Sequence, residues 1–270
     1  MKILTKLLRD SILKQSQLYQ NEYWICQIPK LCPPVLWFGN HQPKKKIVTV
    51  GLNPSHNEFF KNQDTAKKRS YLSPIEQRFY VYSTEDLENP QDPTVTNRIL
   101  QSYDNYFQNN PYTRWFGKPE GYNIERFVNQ FEASFYGIKS VGCVHIDLFP
   151  FVTTDKFSDL DPLRLKEDVF EDIWFQEHFK KLVDFLNPQY LIVFGRSTVN
   201  FFNKYFDGSI LLDKEFKANN KRYATFGVSS YKIYGKNIPL AGLSVNLGDP
   251  RGFTKELLKQ MGRLVYQKKI

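Results

Sequence analysis

Short apolar, β-branched runs punctuate this chain, and stretches of helical spacing separate them. Ile47-Val48-Thr49-Val50 shows no polar alternation, as expected of a strand buried on both faces. It breaks at Gly51 and turns through Leu52-Asn53-Pro54-Ser55. Val141–Phe151 (VGCVHIDLFPF) predicts a second central strand, Leu191–Gly195 (LIVFG) a third, and Ile238–Val245 the last. Val35–Phe38, ending at Gly39-Asn40, predicts another short strand, and residues 209–237 predict two or three more. Leucines and isoleucines at helical spacing over 3–20 predict an amphipathic helix that docks on the protein or, alternatively, lies on a membrane surface. Further helices are predicted near 74–82, 94–108, 123–136, 167–186, from Arg196 to about Phe206, and over 254–266. Alternation of strand and helix predicts an α/β fold with a parallel sheet covered by helices on both faces.

The chain has 270 residues, 41% of them hydrophobic, which suffices for one large domain with decorations. The decorations are an N-terminal helical extension, 1–40, and an insertion at about 61–122 that contains the aromatic-proline knot YFQNNPYTRWFG. No apolar run approaches the ~20 residues that span a bilayer, and no signal peptide is legible, so no membrane association is expected. The net charge of +9 favours an anionic partner, nucleic acid first, and the 16% of aromatic residues suits base stacking as well as a core. Three cysteines, Cys26, Cys32 and Cys143, make no disulfide framework and point to a reducing cytoplasm.

In open α/β sheets ligands bind outside the carboxyl ends of the strands. Three such ends are expected to converge on one rim: Gly51–Ser55, His145-Asp147 with Phe149-Pro150-Phe151, and Leu243–Arg251 (LSVNLGDPR). Gly51 permits close backbone approach, Pro54 stiffens the turn, and Asn53 can donate and accept. His145 and Asp147 alternate with apolar neighbours and so share a face; His145 fits a structural or a functional role equally. His41, His56 and His178 show no ligand spacing, so neither metal nor cofactor is expected. Gly-x-Ser-x-Gly, Walker and Gly-x-Gly-x-x-Gly patterns are missing, which disfavours α/β-hydrolases, P-loop enzymes and dinucleotide binders.

Gly51-Leu52-Asn53-Pro54-Ser55 after a buried strand resembles the first motif of the uracil-DNA glycosylase superfamily, in the form of its mismatch-specific and single-strand-selective branches. VHIDLFPFVT stands where that family has its middle strand, and LSVNLGDPRGFTKELLKQMGRL is similar to its second motif, minor-groove loop and final helix. The resemblance covers residues 44 to 266. It implies a three-layer α/β/α sandwich around a short, mostly parallel sheet. It further implies metal-independent hydrolysis of the N-glycosidic bond of a deaminated or mismatched base in DNA, by a cytoplasmic monomer. Asn53 and Asn246 are the implied catalytic pair, Asn53 positioning the water and Asn246 standing where many relatives carry a histidine. Gly51, Leu52, Pro54, Ser55, Phe59, Phe60, Asp147 and Phe149 are the implied base-binding set, and Arg251, Lys44 and Lys45 the DNA contacts. The sequence departs from the family's His-Pro-Ser with Val245-Asn246-Leu247-Gly248, and Asp147 replaces the usual Asn. Two alternatives stay open: a silent nucleic-acid or nucleobase-binding module of the same fold, and an unrelated small-molecule hydrolase.

Overall fold

The computed structural model describes residues 2–61, 70–219, 222–250 and 252–268. In chain order the α-helices are α1 (Lys2–Leu18), α2 (Glu22–Gln27), α3 (Pro93–Asp104), α4 (Thr113–Phe116), α5 (Asn123–Val128), α6 (Pro162–Leu165), α7 (Ile173–Leu186), α8 (Arg196–Tyr205) and α9 (Lys255–Gln267). The strands are β1 (Lys46–Gly51), β2 (Ala133–Ser134), β3 (Val141–Asp147), β4 (Tyr190–Phe194), β5 (Lys214–Asn219), β6 (Arg222–Ile233) and β7 (Lys236–Leu243). The chain gathers into two units: Met1–Phe38, Leu52–Pro111 and Asp147–His178 make the first, and Gly39–Gly51, Tyr112–Ile146 and Phe179–Ile270 the second.

The sheet belongs to the second unit. Among the described residues its order is β2-β3-β1-β4-β7-β6-β5. Pairings of β2 with β3, β1 with β4 and β4 with β7 are parallel; β7-β6 and β6-β5 are antiparallel, so the sheet is mixed and not parallel throughout. Between β1 and β3, Gly142 N–H donates to Lys45 O at 2.9 Å and Thr49 Oγ1 meets His145 Nδ1 at 2.9 Å, so contacts advance together along both strands, as in a parallel pair. Every residue of β1 and β4 is buried, which explains their uninterrupted apolar runs. Lys46 is the one cation inside β1; its Nζ donates to Leu186 O at 3.0 Å. The chain runs from β1 to β3 on one side of it, then crosses to β4 on the other. Such a reversal places the ligand crevice of open α/β sheets at the carboxyl ends of β1 and β4.

The first unit is built from ring clusters and helices. Leu4, Leu7, Leu8, Ile12 and Leu18 line the buried face of α1, and Gln15 Nε2 donates to Cys32 O at 2.8 Å. Phe79 stacks on Phe59 (5.6 Å) and on Tyr106 (4.8 Å), and Trp37 Nε1 donates to Asp104 Oδ1 at 3.0 Å. Much of the expected N-terminal extension and of the expected insertion therefore lies in one unit, together with residues 147–178.

Several sequence expectations change. The helix expected over 167–186 is α-helical only from Ile173, after a π-helical turn at Lys166–Phe170, and the strand expected over Val141–Phe151 ends at Asp147. Val35–Phe38 is extended but forms no strand; Pro33 and Pro34 lack N–H donors, and Val35 N–H is taken by Pro150 O at 2.8 Å. Residues 74–82 form no helix, because Ser73 Oγ and N–H both bond Glu76 Oε2 in a local turn while Phe79 and Tyr82 are buried separately. The helix from Asn123 stops at Val128, and a 3₁₀ turn follows to Phe131. Glu125 accepts from Ser134 Oγ (2.7 Å) and Phe135 N–H (3.1 Å), which draws the chain back into β2. The last strand ends at Leu243, because Ser244 and Val245 give their carbonyls to Arg196 N–H and Gly195 N–H. Four elements were not expected: the short α4, α6 and β2, and α2, capped by Asn21, whose side chain accepts from Tyr23 N–H at 2.9 Å.

Candidate functional site

β1 ends at the buried Gly51, and the chain turns at once into the first unit. There Leu52 O accepts from Phe149 N–H at 2.8 Å, tying the turn after β1 to the segment after β3. Asn53 Nδ2 donates to Pro54 O (3.2 Å) and to Thr153 Oγ1 (3.0 Å). Thr153 in turn donates to Asp155 O at 2.7 Å, so its oxygen receives the Asn53 proton and cannot supply one. A carbonyl and a hydroxyl already committed as donor both demand the amide N–H₂, which leaves Oδ1 as the acceptor end of the side chain. Helix α2 secures this arrangement. Gln27 O accepts from Thr154 N–H at 2.7 Å, and Gln27 Nε2 donates to Asp155 Oδ2 at 2.9 Å.

Pro54 is buried, and Ser55 caps the following 3₁₀ turn, its Oγ accepting from Asn57 N–H at 3.3 Å. That turn delivers Glu58 into the interior, where it is 2% exposed. Tyr106 hydroxyl donates to Glu58 Oε2 at 2.7 Å, and Arg78 Nε stands 3.9 Å away. Burial pushes the Glu58 carboxyl up to about 7; Arg78 and Tyr106 pull it back, and the charge of Asp147 pushes it further up. Arg78 would suggest an ordinary ion pair, but at 3.9 Å its attraction does not outweigh the loss of water. Asp147 is itself buried, at the end of β3.

Phe59, Phe60 and Phe149 are all core rings. Phe59 stacks on Phe79, Phe60 packs on Tyr71 at 4.5 Å, and Phe149 lies among Trp24, Phe151, Phe157 and Phe175. Stacking on a base would require one of them to leave its cluster.

In the second unit Gly195 (φ +91°) ends β4, and its N–H reaches Leu243 O and Val245 O, both at 2.9 Å, locking the carboxyl ends of β4 and β7 together. Beyond β7, Asn246 is exposed and its Oδ1 accepts from Gly248 N–H at 3.0 Å. Its amide N–H₂ makes no hydrogen bond among the described residues, so Asn246 presents a donor outward. Gly248 is held twice more: Asn123 Nδ2 donates to its carbonyl at 3.3 Å, and the Trp115 indole lies on its Cα.

His145 bonds Thr49 and packs against Phe116 (5.3 Å) and Phe194 (5.8 Å), a core placement. Lys44 and Lys45 are exposed at the amino end of β1, about 20 Å of strand from Gly51, so they do not share the carboxyl edge. Arg251 lies outside the described residues. Among the described residues no group of three His, Cys, Asp or Glu side chains is placed to hold a metal ion. Likewise, no helix is long and apolar enough to cross a membrane.

Sequence reasoning did not find Thr153, Gln27, Glu58 or Trp115. For Glu58 no local signal existed, since Ser55-His56-Asn57-Glu58 reads as a polar turn. Trp115 lay in the aromatic knot without a role. The chain matches no family model and no curated protein sequence.

Proposed function

We propose that this chain is a glycosylase-like protein that hydrolyses the N-glycosidic bond of a deaminated or mismatched base in DNA, with the three-layer sandwich the resemblance implies. The observation that supports it best is the fixed polarity of Asn53, whose amide N–H₂ is held by Pro54 O and Thr153 Oγ1 so that Oδ1 is left as an acceptor. Hydrolysis asks for such an acceptor at the attacking water. The C1′–N bond breaks with its electron pair going to the base, while water oxygen bonds to C1′. Asn53 Oδ1 accepts from the attacking water and orients it, without retaining the proton. The resemblance gives Asn246 the part of donor to an oxygen of the departing base, where negative charge grows; the proton released by the water passes to solvent, and solvent protonates the base as it leaves. Lacking a cationic histidine, Asn246 supplies a weaker stabilisation, and slow turnover is expected. The basic charge of the chain suits a DNA substrate, on which the protein acts as a cytoplasmic monomer.

A silent binding module of the same fold is the second reading, favoured by the burial of Phe59, Phe60 and Phe149. One assay separates them: release of free base from duplexes carrying uracil, hypoxanthine, xanthine or a G·T mismatch. The hydrolase assignment expects release from at least one, lost in Asn53→Ala. Salt-sensitive DNA binding with no base released from any duplex selects the binding module.

A further inference from the structure

We propose that Trp115 and Asn246 form a recognition pair for a planar, oxo-bearing heterocycle, the indole stacking on the ring and the asparagine amide donating to its exocyclic oxygen. The proposal rests on the assignment of a nucleobase substrate and names the group that holds the base. All of its residues lie in the second unit.

Trp115 sits at the carboxyl edge of the sheet. Its ring is 6.5 Å from Phe194, the last residue of β4, and it rests on Gly248 in the loop after β7. A Cβ at position 248 would overlap the indole, so glycine is what lets the ring lie flat on the backbone there. Trp115 is only partly buried, unlike Phe59, Phe60 and Phe149. Its indole N–H makes no hydrogen bond among the described residues. By contrast, Trp24 Nε1 donates to Asp168 and Trp37 Nε1 to Asp104. Tryptophan N–H groups find partners when buried, so an uncommitted one on a half-open ring at a ligand edge suits an external acceptor.

Gly248 links the pair. Its N–H fixes Asn246 Oδ1, leaving the amide N–H₂ as a pure donor, and its Cα carries the indole. Asn123, 7% exposed, bonds both Gly248 O and Arg114 O, clamping the loop to α4 and so to Trp115. A rigid aromatic face beside a donor-only amide selects exocyclic oxygens over exocyclic amino groups. Uracil and hypoxanthine offer such oxygens where cytosine and adenine carry amino groups.

Calorimetric titration of the full chain with free uracil, hypoxanthine, cytosine and adenine tests this. The oxo bases are expected to bind about tenfold more tightly than their amino counterparts, and Trp115→Ala to lose about tenfold, as stacking and one selective hydrogen bond imply. Trp115→Phe keeps a stacking face and is expected to retain most of the affinity, which guards against a folding defect in the alanine variant. Asn246→Asp still accepts from Gly248 N–H but loses the donor, so the oxo preference is expected to vanish or reverse. Unchanged oxo-base affinity in Trp115→Ala, equal binding of all four bases, or no binding of either oxo base overturns the proposal. Base release from duplex DNA is scored separately. Release without the Trp115 dependence leaves the hydrolase standing and removes this pair; oxo-selective, Trp115-dependent binding without release does the reverse.

Discussion

Asn53 Nδ2 lies 3.0 Å from Thr153 Oγ1, and the Thr153 hydroxyl donates its own hydrogen bond to Asp155 O. This relay, not the loop sequence, decides which end of the Asn53 amide is left as the acceptor. Thr153→Val keeps the shape and removes the relay. The variant is expected to lose about 1–2 kcal/mol of stability for two part-buried hydrogen bonds. Base release should fall severalfold through kcat, since a freed amide can turn its N–H₂ toward the water. Thr153→Ser should stay near wild type. Equal kcat in the valine and serine variants would remove Thr153 from any positioning role.

Glu58 makes stability depend on pH in an unusual direction. Its folded carboxyl titrates at about 7, against about 4.3 in an unfolded chain. Between these values the folded state holds a proton that the unfolded state has released. Stability therefore falls as pH rises across that window, the reverse of a salt-bridged acid. Glu58→Gln cannot titrate. Urea unfolding of both proteins at pH 5 and pH 8 should show the wild type losing ground to the variant by on the order of 3 kcal/mol. A gap that stays constant with pH would mean that Glu58 is ionised throughout, held so by Arg78.

What the sequence made legible is what depends on neighbours along the chain. β1 and β4 announce themselves because a strand covered on both faces admits only apolar side chains, and α1 because one stripe of leucines faces inward. Asn53 was visible as a polar residue in a turn after such a strand. Its orientation was not, because Thr153 stands a hundred residues away. The end of α5 was misjudged for a similar reason: Asn123 to Phe131 keeps helical spacing, yet Glu125 spends its carboxylate on Ser134 and Phe135. Phe59, Phe60 and Phe149 read as ligand-facing by proximity to motifs, while the packing of rings from distant segments buries them. Trp115 shows the converse, since nothing local distinguishes a half-open indole from its buried neighbour Phe116.

Gly248→Ala tests the seat of that indole directly. The added methyl would overlap the Trp115 ring, and the backbone beneath is fixed by Asn246 and Asn123. The ring must move, and overpacking of this kind costs about 1–3 kcal/mol. A red-shifted tryptophan emission with a lowered unfolding midpoint is expected; an unchanged spectrum would show that the indole does not rest on residue 248.

Asn123 carries a backbone and a side-chain duty that two substitutions separate. Its φ of +55° lies in the left-handed region, where asparagine is tolerated and alanine is strained. Its Nδ2 bonds Arg114 O and Gly248 O, joining α4 to the loop that carries Asn246. Asn123→Gly removes both bonds but suits the backbone, and should cost about 1–2 kcal/mol. Asn123→Ala removes the same bonds and adds about 1–2 kcal/mol of strain. Chemical denaturation should therefore rank wild type above glycine above alanine. Oxo-base affinity should fall alike in both variants, because it depends on the clamp and not on the dihedral. An alanine variant as stable as the glycine variant would show that residue 123 is free to leave the left-handed conformation. Affinity lost only in alanine would assign the effect to strain instead of to the two hydrogen bonds.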